Sequence, residues 1–575
     1  MEKTIQTIPS VEKPWLQFFS EEAKQSEMMH DTIYNVLNIC NKGFEENYAI
    51  NYFGRRITYG KLLKDIDVAA AAYESLGVKK GDIVAINSAT IPEMVVSIYA
   101  LNKLGATVLT IDPRRTGSFI EKMINKSKTD ILVFIDLSYP VIKKIMPNLS
   151  VKKYISISPN DSLPFPLKVA NTIRSKTHID FNENVISWKD FMKLGEGKTS
   201  YTSKYGENDV VAITFTGGTT GEPKGVQIGT DGFNAVMHSF RHCGVTYSRH
   251  DRFMNIIPAF SSYGICASMH MPLCLGLELV IIPKFDDNKV GYYIKKYRPE
   301  HTLLVPAHYE KLMNSKEMKN GYDLSFFKTA GSGGDTMNVG LETKLNNFMK
   351  EHGCKFPLSQ GYGMSEVSSA ASCCCNGNFR SLSVGYPLLT STVGIFKPES
   401  TEELGYNEEG EICMTGPGVF LGYFMDDEET QKILKKHEDG KIWVHSGDVG
   451  YMDEDGFIYV KGRIKRMITR FDGHKIFPVQ IEYTISKHPN VQSCAAVGVT
   501  DFEHSQGKLA YTAVLLNDGV DKEKTLKEIN DLILDELEER GRPSVIEFID
   551  DMPHTSIGKI DYAKLEKYFE DKYKK

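Results

Sequence analysis

The chain has 575 residues, of which 41% are hydrophobic and 25% charged, with a net charge of −6. That length exceeds what one hydrophobic core fills, so two or more domains are expected. The lack of a basic surplus excludes a nucleic-acid-binding surface, and ten cysteines with no CxxC pair exclude a disulfide framework or zinc finger and fit a reducing compartment.

The N-terminal MEKTIQTIPSVEKPW has no apolar signal core, so a cytoplasmic location is expected. ITYGKLLKDIDVAAAAYESLG then reads as an amphipathic helix with a glycine stop, DIVAINS as a strand, PEMVVSIYALNKLG as a helix, and ATVLTID and TDILVFID as strands. The polar stretch from IMPNLSVKK to THIDF reads as an irregular surface excursion. DVVAITFT resumes as a buried strand, and DGFNAVMHSFRH reads as a helix. Ile265 to Pro283 reaches membrane-spanning length, but His270, Pro272 and Glu278 interrupt it and Gly276 splits it. We read a buried helix feeding a buried strand there, and no integral membrane span. The run Cys373, Cys374, Cys375 reads as a small-residue buried strand. From Gly410 the pattern shortens to strands and turns, with DEDG as a hairpin signal. After Arg466 a compact α/β pattern follows, which places a boundary near residue 465. The alternation of helices and strands predicts an α/β fold with largely parallel sheets.

Between DVVAITFT and the next helix lies the stretch TFTGGTTGEPKG, Thr214 to Gly225. Glycine-rich backbone exposes N–H groups that bind anions; threonine hydroxyls add donors and Lys224 adds charge, which suits a polyphosphate. A flexible connector is the plain alternative. Walker A geometry fails, because Pro223 precedes Lys224 and Gly225 follows it. G-x-G-x-x-G fails as well in GYGMSE and GSGGDT.

TGGTTGEPKG resembles the TSGTTGxPKG loop of the adenylate-forming superfamily, which contains acyl-CoA synthetases, peptide-synthetase adenylation domains and beetle luciferases. Further motifs follow in the family's order: QGYGMSE, GEICMTGPGVFLGY, WVHSGDVG, GRIKRMITRFDGHKIFPVQIE and PHTSIGKID. The resemblance spans nearly the whole chain and is closest in character to acyl-CoA synthetases. It implies a large N-terminal domain, residues 1–464, of stacked mostly parallel sheets with helices plus a small β-barrel-like part. It also implies a small mobile α/β C-terminal domain, residues 465–575, that carries the catalytic lysine.

The implied reaction joins a carboxylate to the α-phosphate of ATP, with Mg2+, and then passes the acyl group to the thiol of coenzyme A. Two anions meet in the first step, so neutralising charge is the main task. The resemblance assigns that role to Lys559 and makes Glu366 the magnesium ligand, a hard oxygen donor suited to the ion. Thr216, Gly217, Gly218, Thr219, Thr220, Gly221 and Lys224 form the phosphate loop, and Ser365 keeps a hydroxyl for phosphate contact. Tyr362 stacks on adenine; Gly334 and Asp335 line the adenine side; Asp448, an acceptor-only group, binds the ribose hydroxyls with Arg463 in support. Ser261, Gly333 and Gly361 line the acyl pocket, Gly473 and His474 border the pantetheine tunnel, and Lys465 is the hinge.

Three positions depart from the family pattern. Gly217 replaces a serine, so looser ATP holding is expected. Arg466 replaces an aspartate beside the hinge. Ser261 stands where peptide-synthetase domains carry an aspartate for the substrate's amino group, which argues against an α-amino acid and for a fatty or aryl carboxylic acid. An acyl carrier protein as thiol acceptor, and membrane-associated fatty-acid uptake coupled to acylation, stay open as alternatives.

Overall fold

The computed structural model describes residues 8–174, 177–216, 223–319, 321–335, 337, 339–504, 506–553 and 560–574. Two large sheets dominate. The first runs, in spatial order, Val185–Ser187, Lys153–Ile157, Ile131–Ile135, Ile83–Asn87, Thr107–Ile111, Val210–Phe215 and Gly225–Gly229. Its neighbours are parallel except the last pair, which is antiparallel. The second sheet is nine-stranded, and its parallel centre runs Ser359–Tyr362, Thr329–Ser332, His301–Leu304, Arg252–Asn255, Glu278–Ile281 and Tyr48–Tyr52.

These strands read as continuous apolar runs because both faces of each sheet are covered. Successive side chains point to opposite faces, and the cores divide accordingly. Val84 and Ile86 enter the central core and Ala85 the outer one; Phe253 and Leu303 enter the central core, Met254 and Leu304 the far side. The central core lies between the sheets and takes Leu62 and Ile66, Met94 and Ile98, and Phe233 and Met237 from the helices Tyr59–Ser75, Pro92–Lys103 and Thr230–Arg241. Each such side chain contributes about 1.5–3 kcal/mol by leaving water.

Two local readings change. The expected surface excursion holds the strand Lys153–Ile157, paired on both sides within the first sheet. Lys152 and Lys153 mask an alternation in which Tyr154 enters one core and Ile155 the other. The strand Gly225–Gly229 precedes the helix Thr230–Arg241, so the glycine-threonine stretch links two antiparallel strands. Ile265 to Pro283 folds as expected into buried helix and strand: a π-helical turn Tyr263–His270, the helix Met271–Cys274 and the strand Glu278–Ile281. Gly264 is required at its start, since a Cβ there would stand 1.9 Å from the Pro258 carbonyl oxygen. No helix among the described residues is long and apolar enough to cross a membrane.

A five-stranded antiparallel sheet follows, with Ile442–Met452 paired to Ile458–Arg463 across the DEDG turn. The last segment builds a three-stranded sheet from Val491–Thr500, Lys508–Leu516 and Val545–Phe548. The helices Pro478–Ser486 and Lys522–Glu536 share one small core, through Ile481, Ile485, Ile529 and Ile533, and the helix Tyr562–Tyr573 shares another, through Leu565 and Phe569.

Candidate active site

In open α/β sheets ligands bind beyond the carboxyl ends of parallel strands. Here Thr329–Ser332 and Ser359–Tyr362 lie side by side in parallel, and their ends bring Gly333 next to Gly361. A Cβ on Gly333 would stand 3.2 Å from the Gly361 carbonyl oxygen and 3.7 Å from the Tyr263 hydroxyl. A Cβ on Gly361 would stand 3.2 Å from the Ser372 carbonyl oxygen and 3.6 Å from the Cys373 sulfur. The two glycines therefore let two strand ends and the π-helical turn converge. Gly334 follows with φ of +80° and leads into Asp335.

Ser261 does not present a free hydroxyl. Its Oγ donates to the Pro258 carbonyl at 2.8 Å and accepts from the Gly264 N–H at 3.1 Å, tying down the start of the π-helical turn. Its neighbour Ser262 shares a 2.8 Å hydrogen bond with Ser365, which joins this turn to the one carrying Glu366.

The residues expected at the ribose are positioned chiefly by two adjacent strands. Asp448 and Arg463 are register partners across Ile442–Met452 and Ile458–Arg463. Arg463 Nε meets Asp448 Oδ1 at 2.6 Å, and the Tyr362 hydroxyl donates to Asp448 Oδ2 at 2.6 Å. Burial pushes the Asp448 carboxyl up from its usual range, and Arg463 and Tyr362 oppose that. Burial, and then the Asp448 charge, push the Tyr362 hydroxyl well up. A carboxylate offers about four lone-pair sites, so Asp448 keeps acceptors for a diol.

The residues expected at the phosphates are assembled differently. The Thr216 N–H donates to the Lys224 carbonyl at 3.0 Å, closing the neck of the hairpin. The Lys224 ammonium lies over the Tyr423 ring, 5.0 Å from its centroid, and is ion-paired to Glu429. The Tyr423 hydroxyl donates to Glu366 Oε1 at 2.6 Å, so Tyr423 connects the loop lysine to the buried carboxylate. Tyr423 is held in place because its segment runs along Gly225–Gly229, with the Phe424 N–H donating to the Gly225 carbonyl at 2.7 Å. Hydrogen bonds from Lys224 and then Lys432 pull the Glu429 carboxyl down to about 2.

Beyond Arg463 the turn Ile464–Arg466 holds Lys465. Arg466, the departure from the family aspartate, pairs with Glu482 at 2.6 Å and lies 3.6 Å over the Tyr562 ring. Burial pushes the Tyr562 hydroxyl up, and the charges of Glu482 and Asp335 add to this. Gly473, with φ of +80°, turns the hairpin between Ile468–Thr469 and Lys475–Ile476; a Cβ there would meet nothing within 4 Å. His474 Nε2 lies 3.0 Å from Glu538 Oε1. Gly217, Gly218, Thr219, Thr220, Gly221 and Lys559 lie outside the described residues.

Three contributors were not singled out from the sequence. Tyr423 closes the GEICMTGPGVFLGY motif, so its signal was present without a role. Glu429 and Ser262 carried no signal, since their partners Lys224 and Ser365 are distant in the chain.

Comparison with known proteins gives the same picture. The family model described as AMP-binding enzyme matches residues 40–424, and that described as AMP-binding enzyme C-terminal domain matches residues 480–559. A long-chain-fatty-acid–CoA ligase of Bacillus subtilis (strain 168) is 30% identical over 567 residues, covering 96% of this chain and 97% of its own length. Among solved structures, the anthranilate CoA ligase AuaEII in complex with anthranoyl-AMP superposes with a TM-score of 0.80 at 21% identity, covering 95% of this chain and 98% of that one. The O-succinylbenzoate coenzyme A synthetase of Bacillus subtilis, in complex with ATP and magnesium, gives a TM-score of 0.73 at 22% identity, covering 92% and 99%. With a family model matching well over half its length and a relative matching nearly all of it, the chain belongs to the AMP-binding enzyme family.

Proposed function

We propose that the protein is an ATP-dependent acid–thiol ligase. It activates a carboxylic acid as the acyl-adenylate, releasing pyrophosphate, and then transfers the acyl group to coenzyme A. The observation that carries this reading is that the segment 362–366 ties together an acceptor corner suited to a ribose (Tyr362, Asp448, Arg463) and a cationic corner suited to phosphates (Lys224 over Tyr423, which bonds Glu366).

Each residue has a defined task. Asp448 accepts from the ribose hydroxyls while Arg463 and Tyr362 hold its carboxylate in place. Tyr362, Gly334 and Asp335 border the adenine, and Ser365 contacts phosphate. Thr216 and Lys224 anchor the phosphate loop formed with residues 217–221. Glu366 fits a magnesium ion by its chemistry: a buried carboxylate with one oxygen bound by Tyr423, leaving hard-oxygen capacity for an ion that also takes phosphate oxygens. When bound, that ion neutralises phosphate charge. Lys559 neutralises the carboxylate and α-phosphate as they meet.

The acid is a fatty or aryl one. Gly333 and Gly361 face Tyr263 and Cys373, which are uncharged, and Ser261 spends its hydroxyl on backbone. A buried α-ammonium would find no counter-ion in that set. Residues 465–575 act as a mobile domain pivoting at Lys465, bringing first Lys559 and then the Gly473–His474 turn to the site by rigid-body motion.

The test is a panel of carboxylic acids of varied chain length and ring content, with pyrophosphate release read with and without coenzyme A. Acid-dependent pyrophosphate release and thioester formation are expected for fatty or aryl acids. No acid-dependent release with any of them would overturn the adenylation reading; release without any thioester would overturn coenzyme A as acceptor.

A further inference from the structure

All ten cysteines are free, and eight are buried. Of the two half-buried ones, Cys354 has its thiol pushed up to about 12 by burial and donates to the Leu324 carbonyl at 3.4 Å, so it stays a thiol. Cys40 differs. It lies near the end of the helix Ile33–Asn41, where the Arg241 guanidinium donates to its sulfur at 3.0 Å. The same Arg241 nitrogen donates to the Cys274 carbonyl at 2.9 Å. Asn41 Nδ2 donates to the Leu273 carbonyl at 3.1 Å, so the end of Ile33–Asn41 is stitched to the helix Met271–Cys274. Arg241 thus bridges the Cys40 sulfur and the Cys274 backbone, which sets the two cysteines side by side, and Cys274 Sγ lies 3.6 Å from His270 Nδ1.

A second group of cysteines, Cys243, Cys375 and Cys373, shows what Cys40 has in addition. Those three are all buried, and among the described residues no guanidinium donates to them. Cys40 combines partial exposure, a cation on its sulfur and a neighbouring thiol, which together make a thiolate nucleophile with a resolving partner. The Cys274 thiol, with Arg241 and Arg249, pulls the Cys40 thiol below its usual range against its burial.

We propose that Cys40 and Cys274 form a dithiol that hydroperoxides oxidise to a disulfide bridging the helices Ile33–Asn41 and Met271–Cys274. The Cys40 thiolate attacks a peroxide oxygen: an S–O bond forms, the O–O bond breaks, and the leaving alkoxide or hydroxide takes a proton. Cys40 becomes a sulfenic acid, oxidised by two electrons, and the peroxide is reduced to an alcohol or water. The Cys274 sulfur then attacks that sulfur; the S–S bond forms, the S–O bond breaks, and water leaves with the Cys274 proton. Met271–Cys274 directly continues the π-helical turn Tyr263–His270, so the bridge restrains the segment that sets Tyr263 against Gly333.

The test uses the full-length protein treated with hydrogen peroxide and then with dithiothreitol, with thiols mapped by differential alkylation and mass spectrometry. Loss of two thiols with a Cys40–Cys274 linked peptide, reversed by dithiothreitol, is the expected result. Cys274→Ser is expected to leave a sulfenic acid on Cys40 that dimedone traps, and Arg241→Gln to slow Cys40 oxidation by about tenfold through loss of thiolate. The proposal is overturned if Cys40 in the unsubstituted protein oxidises no faster than Cys354, or if its product is not linked to Cys274. Mapping the unsubstituted protein decides this even where a variant folds poorly.

Discussion

The Asp448 corner and the Lys224 corner, proposed to hold ribose and phosphates, are both tied to the segment 362–366 but are made by opposite means. Asp448 is buried, and both its oxygens are engaged, one by Arg463, supplied by strand register, and the other by Tyr362 from another sheet. That corner is rigid because a sheet ladder sets it. Lys224, by contrast, leaves a hairpin and rests against Glu429, which is 30% exposed and shared with Lys432. An exposed ion pair contributes little, about 0–1 kcal/mol, and exchanges readily for a better anion. The Asp448 corner is therefore preformed, while Lys224 holds a replaceable counter-ion, as the proposed phosphate role requires.

The largest expected effect is that of Lys559. Lys559→Ala is expected to lower acid-dependent pyrophosphate exchange by about 10²–10³-fold, as for loss of one transition-state donor, while sparing thiolysis of a supplied acyl-adenylate. Equal loss of both half-reactions would show that Lys559 does not have the proposed role in adenylation. Next, Asp448→Asn breaks the preformed corner: the KM for ATP is expected to rise by about tenfold to a hundredfold, as for a hydrogen bond to a charged group. An unchanged KM would remove Asp448 from nucleotide binding. Tyr423→Phe deletes only the hydroxyl on Glu366 and is expected to cost about fivefold to tenfold in kcat/KM for ATP, read by varying ATP at fixed magnesium.

The smallest effect separates the corners most sharply. Glu429→Gln frees Lys224 and is expected to lower the KM for ATP by about twofold to fivefold; a rise would mean that the pair positions Lys224 and does not compete with phosphate. Acid titration gives an independent check. The folded Glu429 carboxyl sits at about 2, below its ordinary 4.5. A carboxyl lowered on folding adds stability that is complete above its unfolded value and lost as the pH falls towards the folded one. The difference in thermal midpoint between the unsubstituted protein and Glu429→Gln is therefore expected to shrink as the pH falls from about 5 to about 2.

How much was legible depended on how local the signal was. The helix Tyr59–Ser75, the strand Ile83–Asn87 and the buried course of Ile265 to Pro283 follow from periodicity and interruption, which are short-range properties. The strand Lys153–Ile157 was hidden by lysines at its start, because only its two neighbours in the sheet give it buried faces. The strand Gly225–Gly229 was hidden because two glycines in five residues argue against a strand on propensity. Pairing with Val210–Phe215 and the passing segment Leu421–Phe424 overrides that propensity.

By itself the sequence determined the α/β alternation, the order of the motifs and the kinds of group available: an acid in SGD, an acid in GMSE, a lysine after a glycine-rich stretch. Those are properties of residue type and spacing, which survive without any knowledge of contacts. Only the tertiary structure decided who meets whom. Arg463 faces Asp448 because strand register puts them opposite, and Tyr362 reaches the same carboxylate from another sheet. Tyr423 joins Lys224 to Glu366, and Glu429 takes the lysine's charge from about two hundred residues away. Pairings of that range are set by packing two sheets around a shared core, and packing is not written in the neighbourhood of any one residue.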